Sequence, residues 1–138
     1  MPGGRAIYST GMISAAVVFL GAGIGGVLRH GVNLLAGTWL GAGFPFGTLA
    51  INIAGSGLMG LVAGWFMLKG GAGTPGDLRL FLATGVLGGF TTFSAFSLDA
   101  VLLWQRGDVM LATAYVFGSV ALSIAALIGG LAIIRGLV

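Results

Sequence analysis

Cysteine is absent from this chain of 138 residues, which excludes a disulfide framework, a zinc-thiolate site and thiol redox chemistry. Charge is also scarce, because only 7% of the residues are charged, whereas a soluble domain has about 25%. The six basic residues are too few and too scattered to form a nucleic-acid-binding surface. Hydrophobic residues instead make up 57% of the chain, which indicates an integral membrane protein.

The apolar residues form four long runs, and each reaches the ~20 residues that a helix needs to cross a bilayer. The predicted spans are Ile13–Leu35, Phe46–Leu68, Leu78–Leu103 and Val109–Ile134. The first run is much longer than the hydrophobic core of a signal peptide, so it predicts a retained helix. By length, residues 1–138 form one domain. The predicted fold is therefore an all-α membrane protein with four transmembrane helices.

The basic residues give only a weak signal for orientation in the membrane. Four spans would place both termini and the middle loop on one side of the bilayer. That side would carry Arg5, Lys69, Arg79 and Arg135, and the other side would carry Arg29 and Arg106. Because positively charged loops favour the cytoplasm, this difference of four basic residues against two only weakly favours an orientation with both termini inside. The sequence therefore allows insertion in both orientations.

The third span contains a stretch that is rich in glycine and hydroxyl groups, between Gly88 and Ser97. Each of Gly88 and Gly89 costs about 1 kcal/mol relative to alanine in a helix. Irregular backbone at membrane depth persists only inside protein or beside a water-filled cavity. We therefore expect a break near Gly88–Thr91. Beyond it, the three-residue spacing of Phe93 and Phe96 places both rings on one helix face.

Two other spans carry polar side chains at every fourth position, which forms a stripe along one helix face. These residues are Thr48, Asn52 and Ser56 in the second span, and Tyr115, Ser119 and Ser123 in the fourth. All six are neutral and can donate hydrogen bonds, which suits an anion that must be bound and then released. The positive edges of aromatic rings could serve the same path. Hydrogen bonding between helices and core packing are the alternatives.

Two polar residues of the first span and one acid of the third span are further candidates. Arg29 is either a functional cation at membrane depth or a side chain that reaches the interface. His30 has no neighbouring carboxylate or second histidine in sequence, so it supports neither a metal site nor a catalytic triad. Asp99 is expected near the interface, paired with a basic side chain. Gly21 and Gly25 form a GxxxG pair that predicts close helix packing.

Three sequence features together resemble the Fluc (CrcB-like) family of bacterial fluoride channels. They are Gly-Gly-Phe-Thr-Thr-Phe-Ser-Ala-Phe-Ser at 88–97, Gly-Thr-Leu-Ala-Ile-Asn at 47–52 behind Pro45, and the glycine-rich first helix with Arg29. The resemblance covers essentially the whole chain. It implies an antiparallel homodimer of four-helix subunits in the bacterial inner membrane, inserted in dual topology. It also implies two fluoride pores at the dimer interface, a structural sodium ion on the twofold axis, and no enzymatic activity.

The resemblance also implies roles for individual residues. Phe93 and Phe96 look like the paired pore phenylalanines of the family, and Asn52 looks like its pore asparagine. The residues that resemble its polar track are Tyr115, Ser119 and Ser123 in the fourth span, with Thr48 as a candidate in the second.

The carbonyls of Gly88 and Thr91 match the positions that hold sodium in the family, and Arg29 matches its first-helix arginine. Two residues depart from the family pattern. His30 stands where an aromatic residue is common, and Asp99 stands where glutamate is usual. These departures concern the mouth of the pore.

Two other classes of membrane protein remain as alternatives to a channel. A small dual-topology multidrug exporter has a similar length, but it needs an acidic residue deep in its first helix for proton exchange. The first span here contains neither aspartate nor glutamate. A non-transporting membrane assembly subunit would explain the glycines, but it would not explain two polar stripes and a broken helix.

Overall fold

The computed structural model describes residues 3–68 and 76–137, and these residues are almost entirely helical. The elements are α1 (Gly3–Leu40), α2 (Phe46–Leu68), α3 (Gly76–Arg79), a π-helical segment (Leu80–Leu87), α4 (Gly88–Phe90), α5 (Phe93–Gln105) and α6 (Val109–Gly136). Of residues 3–10, only the backbone is described. Lys69, one of the basic residues used to predict orientation, lies outside the described residues.

Within the described residues, four helical stretches are long and apolar enough to cross a membrane, as the sequence predicted. They are Gly11–Leu40, Phe46–Leu68, Gly76–Gln105 and Val109–Gly136. The first ends at Leu40 rather than at the predicted Leu35, because Gly41 adopts a left-handed conformation (φ +77°) that stops the helix there. Arg29 therefore lies eleven residues before the helix end, which is ~16 Å at 1.5 Å per residue.

The third span is broken, as expected, but the break falls at the end of the predicted stretch. Thr91 (φ −75°, ψ 158°) and Thr92 (φ −153°, ψ 123°) are extended, and α5 starts directly after them. Gly88 keeps helical angles (φ −65°, ψ −37°), so the glycine pair does not itself leave the helix. Its neighbour Gly89 instead allows close approach to α1, because a methyl group there would overlap the Ala22 backbone.

Glycines bring the helices together in two pairs. The predicted GxxxG pair packs against the third span, where a Cβ on Gly21 would lie 2.9 Å from the Gly85 Cα and one on Gly25 would overlap the Val86 carbonyl. On the other side of the molecule, α2 packs against α6. A Cβ on Gly130 would lie 2.9 Å from the Leu61 nitrogen. This small-residue packing allows helices to associate closely in a lipid environment.

Few large side chains are fully buried in the single chain. Ile51, Leu103 and Tyr115 are at most 1% exposed, and Leu103 and Tyr115 form a small core with Ala112 and with Phe96, which is 8% exposed. Many large apolar side chains on the outer faces are exposed, as expected for a protein whose surroundings are lipid tails. The buried cluster lies between α5 and α6, next to the break, and it positions the polar groups described below.

Candidate anion pathway

The side chain of Asn52 on α2 holds the break in the third span. Its Oδ1 accepts a hydrogen bond from the Thr92 N–H (2.9 Å), and its Nδ2 donates to the Thr92 carbonyl (3.0 Å). The Thr92 hydroxyl caps α5 by accepting from the Ala95 N–H (3.2 Å). The Thr91 hydroxyl donates to the Leu87 carbonyl (2.9 Å). Side chains therefore satisfy three of the backbone groups that the break frees: the Thr92 N–H, the Thr92 carbonyl and the Ala95 N–H.

This arrangement removes the helical donors from several carbonyl groups at the break, among them those of Gly88 and Thr91. In an unbroken helix the Thr92 N–H would donate to the Gly88 carbonyl, and the Ala95 N–H would donate to the Thr91 carbonyl. Both N–H groups donate to side-chain oxygens instead. The Gly88 and Thr91 carbonyls are therefore free of their usual partners, and they are oxygen ligands of the kind that hard cations prefer.

A groove of about 270 Å³ lies beside the break, between α2, α5 and α6. Its polar and aromatic lining includes Asn52, Ser56, Phe93, Phe96, Ser119 and Ser123. The Phe93 and Phe96 rings lie 5.5 Å apart between centroids, at 46° to each other. Phe96 is 8% exposed, whereas Phe93 is 78% exposed. The groove is therefore lined by protein on the Phe96 side and open on the Phe93 side.

Two hydroxyl groups in this groove are buried and unused. The Oγ atoms of Ser119 and Ser123 have no hydrogen-bond partner anywhere in residues 3–68 and 76–137. Leaving a buried hydroxyl unsatisfied costs about 1–3 kcal/mol. Both serines line the groove. A species in the groove that accepts hydrogen bonds would remove this cost.

A second cavity of about 350 Å³ lies at the ends of α1, α2 and α5, and we call it the vestibule. Its lining includes Asn33, Phe44, Thr48, Asp99 and Arg106. Thr48 lies one turn before Asn52 on α2, so the vestibule and the groove follow one another along the same helix face.

Tyr115 lines neither cavity, but it contacts residues of both, and 1% of its surface is exposed. Its hydroxyl donates to Asp99 Oδ2 at 3.3 Å. The expectation that Asp99 pairs with a basic side chain was therefore wrong, because its partner is a tyrosine one helix away. The neighbouring basic residue, Arg106, contacts Asp108 instead (Nε to Oδ2, 3.4 Å).

The structure brings together most residues that the sequence singled out. Six line the groove, and Thr48 and Tyr115 follow one turn away, towards the vestibule. Arg29 lines neither cavity. It is half-buried on α1, and in the described part of the chain it makes no hydrogen bond or ion pair.

Three vestibule residues were missed as site residues from the sequence: Asn33, Phe44 and Arg106. Asn33 could have been found, because it lies four residues after Arg29 and so shares its helix face. Phe44 lies in a turn, where helical periodicity gives no signal.

The sequence model of one family, described as "CrcB-like protein, Camphor Resistance (CrcB)", matches residues 16–131. The chain belongs to the CrcB family. The match covers most of the membrane-spanning helices, including the break and the groove. The family resemblance read from the 88–97 motif is thereby confirmed.

Several curated relatives of this CrcB-family chain carry the name "Fluoride-specific ion channel FluC". One from Rhodopseudomonas palustris (strain BisB5) is 57% identical over 121 residues, which cover 88% of this chain and 96% of the relative. One from Methylobacterium nodulans is 59% identical over 124 residues, or 90% and 98% of the two chains. A third, from Granulibacter bethesdensis, is 57% identical over 127 residues, or 92% and 98%.

Proposed function

We propose that this chain is a fluoride-selective ion channel that passes fluoride passively across the bacterial inner membrane and so lowers cytoplasmic fluoride. One observation carries the proposal: the groove beside the break holds two buried, unpartnered serine hydroxyls next to Asn52 and the Phe93–Phe96 pair. The names of the relatives, which are more than half identical over nearly their whole length, support the same anion.

The chemistry of the groove suits a small anion that must move. Neutral hydroxyl and amide donors can replace part of the hydration shell of the anion without binding it as tightly as a fixed positive charge would. Conduction needs binding that is strong enough for entry and weak enough for release. Ring edges carry positive electrostatic potential, so the two phenylalanines can contact an anion while excluding water. No bond is made or broken in this process, so the protein needs no catalytic group.

We further propose that two copies assemble as an antiparallel homodimer with two pores at the interface. The groove of one chain is open on the side of Phe93, which is 78% exposed. In a lipid bilayer the open side of the groove would face hydrocarbon, where an unsatisfied polar group such as the free N–H of the part-buried Asn52 amide costs several kcal/mol. A second copy would close this side. Two copies contain two such grooves, which gives two pores.

The antiparallel arrangement requires both orientations in the membrane, and the weak charge difference is consistent with this. Adding three lysines between positions 69 and 75 should fix one orientation and strongly reduce transport, because too few oppositely oriented partners would form. Reporter tags at the C-terminus and efflux assays would measure both effects. A single orientation of the unmodified chain, in a preparation that still conducts fluoride, would contradict dual topology.

We also propose that the Gly88 and Thr91 carbonyls hold a structural sodium ion on the twofold axis. The chain offers the right donors, since both carbonyls have lost their helical partners. Within the described ranges there is no group of three or more histidine or acidic side chains that could bind a metal instead. Two carbonyls from each copy would supply four oxygen ligands, which is chemistry that a hard cation accepts. Bound there, the ion would neutralise the converging carbonyl dipoles.

Removal of sodium should therefore weaken the dimer and stop transport. Thr91→Ser should leave both properties intact, because serine can make the same hydrogen bond to the Leu87 carbonyl that keeps the break in shape. Efflux and size-exclusion chromatography in sodium-free buffer would test this. Unchanged transport after exhaustive sodium removal, with no ion density at the axis, would contradict the sodium site.

Growth of a bacterium that lacks its own fluoride exporter tests the proposed function against its alternatives. Expression of this chain should restore growth in fluoride and should not protect against a cationic drug. The reverse pattern would favour a multidrug exporter. Protection against neither compound, with the protein present in the membrane, would favour a non-transporting assembly subunit.

A further inference from the structure

The mouth of the vestibule is formed by a turn that an arginine from a distant loop holds in place. The turn, residues 41–45, connects α1 to α2 and starts at Gly41 with φ +77°. The Arg106 Nη2 atom donates to the Gly43 carbonyl at 2.8 Å, across 63 positions of sequence. Arg106 itself lies in the α5–α6 turn, which Gly107 closes with φ +84°. The position of the next residue, Phe44, is thereby tied to both loops.

Phe44 transmits this constraint to Tyr115. The two rings meet edge to face, with centroids 5.5 Å apart and planes at 88°. A second ring, Phe96, lies 5.3 Å from Tyr115 on the groove side. Tyr115 is 1% exposed, so two aromatic neighbours and the core around them fix its ring.

Packing helps to hold Tyr115, because its hydroxyl is shared between Asp99 and the Thr48 side chain and the contact with Asp99 is long. Its hydroxyl lies 3.3 Å from Asp99 Oδ2, whereas a strong hydroxyl–carboxylate hydrogen bond is about 2.5–2.7 Å. The contact alone would therefore allow the ring some rotation. Tyr115 contacts Asp99 and Phe44 of the vestibule and Phe96 of the groove, and it lies one turn before Ser119 on α6. A shift of its ring would change the connection between the two cavities.

We propose that the 41–45 turn, held by Arg106, positions Tyr115 at the junction between the vestibule and the groove. Phe44 and Arg106 are then positioning residues of the anion pathway, acting through Tyr115 rather than by touching the ion. The consequence for transport rests on the proposed function, whereas the positioning of the ring can be measured without any transport.

The first test uses ¹⁹F NMR of protein labelled with 3-fluorotyrosine, in fluoride-free buffer. The chain has two tyrosines, Tyr8 and Tyr115, so Tyr115→Phe assigns both signals. Phe44→Leu and Arg106→Met should each split or broaden the Tyr115 signal and leave the Tyr8 signal unchanged.

Phe19→Leu is the control, because Phe19 is 75% exposed on α1 and its ring contacts neither Phe44 nor Tyr115 within the described residues. It should alter neither signal. An unchanged Tyr115 signal in Phe44→Leu would overturn the proposal, whether or not the protein conducts.

The second test is a double-mutant cycle on fluoride efflux from liposomes. Phe44→Leu should slow efflux by about three- to tenfold, in line with the loss of one aromatic pair. In the Tyr115→Phe background the same change should have less than about a twofold effect, because coupled residues are not additive. Equal losses in both backgrounds would overturn the proposal.

Arg106→Lys should restore part of the efflux that Arg106→Met loses, since lysine can still donate to the Gly43 carbonyl. Asp108→Asn is the control for the other contact of Arg106, an exposed ion pair of the kind that contributes little. It should leave efflux unchanged. If Asp108→Asn lost as much efflux as Arg106→Met, the loss in Arg106→Met would come from the broken ion pair. That result would overturn the proposed role of the turn.

Discussion

Phe93→Ile and Phe96→Ile should each abolish most fluoride transport and leave a folded dimer. Isoleucine keeps apolar bulk but removes the ring, and with it the positive edge that can face a dehydrated anion. Both rings line the groove beside Asn52, Ser119 and Ser123. If they only packed, the swaps would mainly change stability.

The structure predicts different costs in stability for the two changes. Phe93 is 78% exposed in the single chain, so its replacement should hardly affect folding. Phe96 is 8% exposed and contacts Tyr115, so its replacement should cost about 1–3 kcal/mol. A loss of transport in Phe93→Ile as large as in Phe96→Ile therefore cannot come from unfolding.

The measurement is fluoride efflux from liposomes, for variants first shown by size-exclusion chromatography to be dimers. Phe19→Ile is the matched control, because Phe19 is 75% exposed on α1 and does not line the groove. It should conduct like the unmodified chain. Near-normal efflux in both folded pore variants would show that the two rings only pack and do not line the pore.

Asn52→Asp should reduce transport more than Asn52→Ala, and each should reduce it by tenfold or more. Loss of one hydrogen bond to an ion costs about 1.5–3 kcal/mol, which corresponds to at least that factor. The amide nitrogen has two hydrogens, and the Thr92 carbonyl takes one, which leaves one for an anion. Aspartate would remove both, would face the Thr92 carbonyl with a negative charge, and would repel the anion.

Because Asn52 also holds the break, the efflux of these variants must be compared with their stability. Ser119→Ala removes a hydroxyl from the same groove without any contact to the break, and it should also slow efflux strongly. Thr113→Ala is its control, since that exposed hydroxyl donates to the Val109 carbonyl within α6 (2.8 Å). Equal flux in the unmodified chain, Asn52→Ala and Asn52→Asp would show that Asn52 serves only in packing between helices and does not contact the anion.

The four spans were predictable because hydrophobicity and length are properties of each segment alone. The bounds of α2 agree with the prediction at both ends, where Pro45 precedes the helix and a glycine-rich run follows it. The GxxxG pair at Gly21 and Gly25 was read correctly for the same reason. Close helix approach needs small residues, and their spacing is visible in the sequence.

The exact place of the break depends on a residue far away in the sequence. Local propensity pointed to Gly88 and Gly89, which in fact stay helical. The helix opens at Thr91 and Thr92 because the side chain of Asn52, forty positions earlier, forms hydrogen bonds with the Thr92 N–H and carbonyl. The pairing of Asp99 with Tyr115 is likewise a contact between two helices. Neither contact follows from propensity or periodicity.

The central claim is that the groove conducts fluoride, and efflux from liposomes loaded with either fluoride or chloride tests it most directly. Purified unmodified protein should release fluoride rapidly in sodium-containing buffer and should release chloride no faster than protein-free liposomes do. Fluoride release at the rate of protein-free liposomes, from a preparation shown to contain folded dimer, would contradict the account. Equal release of the two anions would contradict its selectivity.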